Sequence, residues 1–400
     1  MKVRLEYVWL DGYTPEPNLR SKVKIVDAET IGASIESFPM WNFDGSSTNQ
    51  AETGNSDRLL KPVRTYMSDK IPLDTVYVLC EVLNPDGTPH ESNKRSQIGE
   101  GFEDLWFGFE QEYFIYDRKN KCVLGHNENN LEPQGKYYCG IGEYVAGRDF
   151  VEEHMDMCLN YGIDITGINA EVALGQWEYQ VFSQGKLKGG DDLWITRYFL
   201  HKISEKYGYR IELHPKPLTH GEWNGSGLHT NFSTDMMRDN GGHEYFTALF
   251  NAFESRHEDH IKSYGSENHL RLTGNFETQS IDKFSWGVSD RGASIRVPQD
   301  TAKDWKGYVE DRRPGSNADP YKIIKEIVKS LIMTEQIYEM KGMMTSFVDM
   351  DGLSGKYGTM SNDELLKEYR EEELVSDLEP QAQSDLISEL RKSMQNGKQE

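Results

Sequence analysis

The sequence predicts an α+β protein, and three observations carry that prediction. Alternating runs bounded by Gly, Pro and Asp crowd residues 1–100, which reads as a mostly β domain. From residue 101 onward, helices with marked ends are interspersed with strand-like segments, without the regular βαβ rhythm of a parallel sheet. Beyond residue 345 the composition changes again, to a polar, helix-forming stretch. The expected organisation is therefore a β domain over 1–100, a larger α+β domain over 101–345, and a helical extension over 346–400.

Taken in order, Lys2–Leu10 alternates as a strand, Asp11-Gly12 turns the chain, and residues 22–26 alternate again, suggesting a small antiparallel sheet. The segment WNFDGSSTNQ, 41–50, is dense in Asp, Gly, Ser and Thr and reads as a loop. Thr75–Leu83 is a third strand, and the polar stretch 84–100 marks the boundary. Asp149 and Glu152 form a capping box for a helix stopped at Gly162, and Asp191 or Asp192 starts another that ends near Gly208. A helix is expected over 243–264, and Asp319 with Pro320 begins one reaching Lys341. In the extension, Ser361 and Glu364 cap a helix, and Leu386, Ile387, Leu390 and Met394 make a second apolar stripe.

A formal net charge of −22 with a pI near 5.0 repels nucleic acid and anionic membrane surfaces, so small molecules or metals are the expected partners. Cys80, Cys122, Cys139 and Cys158 show no Cys-x-x-Cys spacing and read as free thiols. With no apolar run of about 18 residues and no apolar core of a leader, a soluble, cytoplasmic chain is expected.

The chemistry centres on WFGFEQEYFIY, 106–116. Aromatic and β-branched residues favour a strand here, so Glu110 and Glu112 share one face while Phe107, Phe109, Tyr113 and Ile115 take the other. Two carboxylates over a core require positive charge, and their spacing of about 7 Å lets each hold its own ion. In INAEVALGQWEYQV, a turn at Leu174-Gly175 would set Glu171 across from Glu178, and a cation would remove the repulsion. A Gly-rich turn in GEWNGSGLHTNFS then leads to a strand whose alternate positions are His229, Asn231 and Ser233. Carboxylates with one imidazole and no thiolate suit hard divalent ions such as Mg²⁺ or Mn²⁺. Arg271, Arg291, Arg296 and Arg312 supply an anion grip, and Tyr308, Glu310 and Arg312 share a strand face. His257 and His260 are one residue short of zinc-protease spacing. Neither a P-loop nor a Rossmann glycine pattern occurs, so metal ions and arginines would have to hold any nucleotide.

Read together, WNFDGSST, WFGFEQEY, GKYYCGIG, NAEV with QWEYQ, KP with WNGSGLHTNFS, RLTGNFET, and ASIRVP followed by GYVEDRRP resemble the glutamine synthetase family, type II or eukaryote-like. The match runs from about Tyr7 to Lys341. The resemblance implies an N-terminal β-grasp domain followed by a C-terminal glutamine synthetase/guanido kinase-like catalytic domain. It implies rings of subunits, expected as a decamer of two pentamers, with sites between neighbours. It would place one metal on Glu112, Glu171 and Glu178 and a second on Glu110, His229 and Glu310, with two or three ions per site. Trp106, Asn231, Ser233, Arg296 and Tyr308 would border ATP, while Trp223, Asn224, Gly225 and Arg271 would border L-glutamate. Arg291 and Arg312 would face the transferring phosphoryl group, Asp44 would take a proton from ammonium, and Glu277 would sit on a shielding flap. Phe276 and Glu222 depart from the family pattern, which has His and Asn or Asp there. Two other readings share these motifs: a glutamate ligase for another amine, and a non-catalytic relative. Retention of Asp44 and of every metal ligand and arginine speaks against both.

Overall fold

Strand pairing around β5, Thr75–Leu83, organises the first sheet in the computed structural model, which describes residues 1–68, 74–126 and 134–351, the last twelve as backbone only. Its partners are β1 (Lys2–Leu10), β2 (Leu19–Asp27), β3 (Trp41–Asp44) and β4 (Asp57–Met67), in the order β2-β1-β5-β4-β3. The sheet is mixed instead of antiparallel, because β1 and β5 run parallel at its centre. Two strands escaped the sequence reading. β3 was hidden by its polar loop composition, and β4 by Pro62, which interrupts the alternation and is absorbed by a register shift between Pro62 and Arg64. Val3, Leu5, Tyr7 and Trp9 of β1 pack with Phe43, Leu60, Val76 and Val78 in one buried cluster.

The second sheet contains β6 (Trp106–Asp117), β7 (Cys122–Val123), β8 (Ile165–Ala170), β9 (Gln176–Gln184), β10 (Tyr209–Glu212), β11 (Leu228–Ser233), β12 (Trp286–Val288), β13 (Ile295–Val297) and β14 (Val309–Asp311). Its order is β12-β13-β14-β11-β6-β9-β8, with β7 and β10 paired to β6. Phe107, Phe109, Tyr113 and Ile115 of β6 are fully buried on the face covered by α2, Lys186–Tyr207, which packs beside α1, Arg148–Asn160. The glutamates of β6 are thereby left on the opposite, open face.

Two helix starts differ from expectation. Gly147, at φ 85°, stands at the N-cap of α1, so Asp149 lies in the first turn and makes no capping bond; Gly162, at φ 75°, does follow its end. α2 begins at Lys186, and Asp191 and Asp192 are buried within it. The Gly189-Gly190 pair reads as a helix breaker, yet close packing requires it. A Cβ on Gly190 would lie 2.5 Å from the Tyr321 ring, and one on Gly189 3.0 Å from Phe107. Asp191 accepts from Arg95 Nε at 2.8 Å, Arg64 Nε at 2.9 Å and Tyr321 Oη at 2.8 Å. Asp191→Ala strips three donors of their acceptor and is expected to cost about 3–5 kcal/mol in urea denaturation.

The segment expected as one helix over 243–264 divides at Arg256 into α3 (His243–Ser255) and α4 (His257–Ser263). α5 spans Gln299–Asp304, and α6 spans Pro320–Asp351, its start capped by Asp319, whose Oδ1 accepts from Tyr321 N at 2.9 Å. The described residues form two compact units, one within 1–242 and 257–329 and the other of residues 243–256 with 330–351. In the second, Ala248 and Ala252 of α3 bury against Ile337, and Tyr245 Oη donates to Glu335 Oε1 at 2.6 Å. The helices expected around Ser361 and Leu386 lie outside the described residues.

Candidate active site

Strand register alone gathers most of the expected ligands. β6 pairs with β9 so that Glu112 faces Glu178, and with β11 so that Glu110 faces His229. β11 in turn sets Asn231 opposite Glu310 of β14, which faces Arg296 of β13. Cross-strand partners project side by side from the same face, about 5 Å apart at Cβ, so five neighbouring strands deliver one continuous polar surface.

Glu171 is the exception to the expected geometry. The turn between β8 and β9 runs from Val172 to Gly175, one position earlier than Leu174-Gly175 would centre it, and Glu171 N donates to Gln176 O at 2.9 Å. Asn169, not Glu171, therefore lies across from Glu178. Gly175 ends this turn where only glycine fits: at φ 78° it takes a conformation a side chain disfavours, and a Cβ there would stand 2.5 Å from Leu124 O. Because Asn169 and Glu171 share a face, Glu171 still reaches Glu178 diagonally.

These side chains line a cavity of about 360 Å³ together with Asn224, Gly225, Arg271, Glu277, Arg291 and Arg312. Burial, and then repulsion from Glu171, raises the Glu112 carboxyl; burial and Glu178 raise Glu171 likewise. Glu178 is pushed up to about 8 by burial and by Glu110 and Glu112. Three carboxylates, Glu112 and Glu178 buried and Glu171 partly so, that resist joint ionisation are a donor set a divalent cation fits, since its charge removes both penalties. A second set is compact: one ligand atom each from Glu110, His229 and Glu310 lie within 4.8 Å of one another. His229 Nδ1 is 3.5 Å from Glu110 Oε2 and from Glu310 Oε1, and burial together with the Arg312 charge keeps the ring neutral, the state in which it can ligate.

The arginines surround this second set. Arg296 Nη1 and Arg312 Nη1 donate to Glu310 at 2.7 and 2.6 Å. Arg296 Nε is buried with no acceptor among the described residues, a donor left for an anion. Arg271 Nη2 lies 2.9 Å from His229 Nε2 and donates to Arg312 O at 3.0 Å. Gly225 and Gly227 make that position possible, since a Cβ on either would sit 2.6 or 2.5 Å from the Arg271 side chain. Burial pushes Arg271 down to about 10, still charged at neutral pH.

The remaining expected residues lie off the cavity wall. Trp106, Asn231 and Ser233 continue its face along the start of β6, in register as Trp106–Ser233 and Gly108–Asn231. Asn231 Nδ2 donates to Glu110 Oε1 at 2.9 Å, and Tyr308 is half-exposed beside Arg296. Trp223 is buried in a core cluster with Phe114 and Leu174, so its ring packs the loop that presents Asn224. Asp44 is exposed at the end of β3, accepting from Ser46 Oγ at 2.6 Å and Ser47 Oγ at 2.8 Å. Those bonds lower its carboxyl below the usual range, and it lines no part of its own chain's cavity. His257 and His260 bind Ile281 O and Tyr264 instead of a common ion.

Sequence reasoning missed several participants. Asn169 and Gln180 line the cavity two positions from Glu171 and Glu178, where period-two counting would have found them. Gln134 holds Asn224 in both directions, at 2.8 Å from Nε2 and 2.5 Å to Oε1, and Arg238 stacks 4.0 Å over Trp106. Both come from loops or turns with no periodic signal.

Comparison with known proteins matches this arrangement to one family. A model described as "Glutamine synthetase, beta-Grasp domain" matches residues 2–85, and one described as "Glutamine synthetase, catalytic domain" matches residues 93–251. Glutamine synthetase of Bradyrhizobium diazoefficiens is 52% identical over 336 residues, covering 82% of this chain and 96% of that one. The Rhizobium meliloti protein of the same name is 50% identical, covering 81% and 98%, and that of Saccharomyces cerevisiae 47%, covering 80% and 86%. The fold is similar to that of Plasmodium falciparum glutamine synthetase, with a TM-score of 0.64 at 17% identity over 83% of this chain and 72% of that one. With both domain models matched in order and about half of all aligned positions shared along nearly the whole length of the rhizobial enzymes, the chain belongs to the glutamine synthetase family.

Proposed function

We propose that the cavity joins ammonia to L-glutamate in two steps, through γ-glutamyl phosphate formed from ATP, with the roles assigned below. The activity itself, ATP-dependent glutamine synthesis, follows from family membership. A carboxylate resists amine attack because oxide is a poor leaving group, and phosphorylation replaces it with phosphate. The observation that carries the residue assignment is the register that sets Glu112 against Glu178 and Glu110 against His229 beside four arginines.

Glu112, Glu171 and Glu178 would hold one divalent ion, and Glu110, His229 and Glu310 a second; Mg²⁺ or Mn²⁺ suits these oxygen-rich sets. When bound, such ions neutralise phosphate oxygens and orient the γ-phosphoryl group. Arg271 grips the α-carboxylate of glutamate, with Asn224 and Gly225 alongside. Arg291 and Arg312 stabilise charge that grows on the phosphoryl oxygens, and Arg296 binds the nucleotide phosphates. Trp106, Asn231, Ser233 and Tyr308 border ATP along the extended face. Glu277 shields the acyl phosphate.

Ammonium has no lone pair, so a carboxylate must bind it and help remove a proton. Asp44, kept ionised by its two serines, suits that task when supplied by a neighbouring copy in a ring, for which a decamer of two pentamers is the proposed assembly. No helix among the described residues is long and apolar enough to cross a membrane, and a cytoplasmic location is part of the proposal.

An ATP-dependent hydroxamate assay with glutamate and hydroxylamine, repeated with ammonium, tests the assignment. Chelation should stop both reactions, and Mg²⁺ or Mn²⁺ should restore them. Undiminished turnover in thoroughly chelated protein would refute the two cation sets.

A further inference from the structure

We infer that Lys216 is a positioning residue that clasps the glutamate-contact loop to the flap and thereby keeps water from the activated intermediate; the inference rests on the site reading above. Lys216 lies between β10 and β11 and is half-buried. Its ammonium donates to the carbonyl of Trp223, the residue before Asn224 and Gly225. The same nitrogen stands 4.9 Å from the centroid of the Phe276 ring, next to Glu277. A carbonyl oxygen and an aromatic face are both negative, so one cation serves both without a second partner. Two separate walls of the cavity thus meet at one side chain.

The flap needs such a tether. It is a tight turn closed by pairing of Thr273 with Ser280, and at its tip Phe276 and Glu277 have φ of 55° and 60°. Two consecutive non-glycine residues in the left-handed region are disfavoured and persist only where surrounding contacts hold them. The tip's other holds are long or internal. Arg312 Nη2 reaches Glu277 O at 3.3 Å, Asn224 Nδ2 reaches Glu277 Oε2 at 3.4 Å, and Thr278 Oγ1 donates to Asn275 O at 2.8 Å. Phe276 is 38% exposed although it lines the cavity, so solvent reaches the ring beside Lys216.

Loss of the clasp has a defined chemical result. If the tip lifts, water attacks the acyl carbon of γ-glutamyl phosphate, the carbon–oxygen bond to phosphate breaks, and glutamate and phosphate leave. ATP is then consumed without glutamine. The diagnostic quantity is phosphate released per glutamine formed, which a general loss of stability does not alter.

Lys216→Met removes the charge and keeps the chain length. It is expected to raise the glutamate KM about tenfold, the value of one charge-assisted hydrogen bond, and to raise phosphate released per glutamine at least about twofold, while the KM for ATP is unchanged. Lys216→Arg retains a cation and should restore coupling. Phe276→Leu, at a partly exposed position, should uncouple phosphate from glutamine to the same degree with the glutamate KM little altered, because the Trp223 contact survives. The double variant should be no more uncoupled than either single one, as expected for two ends of one interaction. Wild-type coupling in Lys216→Met, or effects that multiply in the double variant, would overturn the clasp. Arg271→Gln measured in parallel separates the two levels: unchanged glutamate affinity there would refute the site reading itself, whatever Lys216 does.

Discussion

Glu178→Ala is expected to abolish glutamine formation while making the metal-free protein more stable at alkaline pH. The first effect should exceed about a thousandfold in kcat, because a cation ligand acts on charge that develops in the transition state. The second follows from the raised carboxyl. Burial, with Glu110 and Glu112 beside it, pushes the Glu178 carboxyl up to about 8 from the ordinary 4.5. Its raised pKa means that the metal-free fold carries no penalty from this group below pH 4.5 and loses stability progressively as pH rises through 8. Removing the side chain should therefore raise the melting temperature at pH 9 and leave it nearly unchanged at pH 4.5. With saturating Mg²⁺ the sign should reverse, since the wild-type protein then gains stability from binding that the variant has lost. Full activity of the variant in excess Mg²⁺ would sink the assignment of Glu178 as a ligand.

Activity should reappear when two inactive variants are mixed. Asp44 is exposed on the first sheet and absent from its own chain's cavity, whereas Glu110 lies inside it. If neighbouring copies complete each other's sites in a head-to-tail ring, Asp44→Ala and Glu110→Ala chains are each nearly inactive alone. Dissociated and reassembled in equal amounts, they create wild-type sites at roughly one interface in four, because each half is intact with probability one half. The recovered rate should approach a quarter of wild type, with native mass spectrometry confirming mixed oligomers. Mixed oligomers as inactive as their parents would mean that Asp44 serves its own chain, after a movement of its loop.

Period-two alternation made much of this site legible in the sequence. It put Glu110 and Glu112 on one face of β6 and its four apolar neighbours on the other, and it placed His229, Asn231 and Ser233 together on β11. Motif chemistry singled out the candidate cation ligands and the arginines before any pairing was known, and the fold brings them to the wall of one cavity. Register lay beyond it, because a one-residue change in turn position moves every partner. The turn closed by Glu171 N and Gln176 O decided that Glu171 meets Glu178 diagonally, and the pairing of β6 with β9 decided that Glu112 faces Glu178 directly. Helix α2 shows the same division. Gly189-Gly190 is a local breaker by propensity, and only contact with Phe107 and Tyr321 makes the pair an asset. The pinning of Phe276 by Lys216, and of Asn224 by Gln134, joins loops far apart in the chain. Sequence by itself determined which side chains could carry the chemistry, because residue type and strand period are local properties. Tertiary structure alone decided which of them meet, because register, close glycine packing and loop-to-loop contacts are set by atoms distant in the chain.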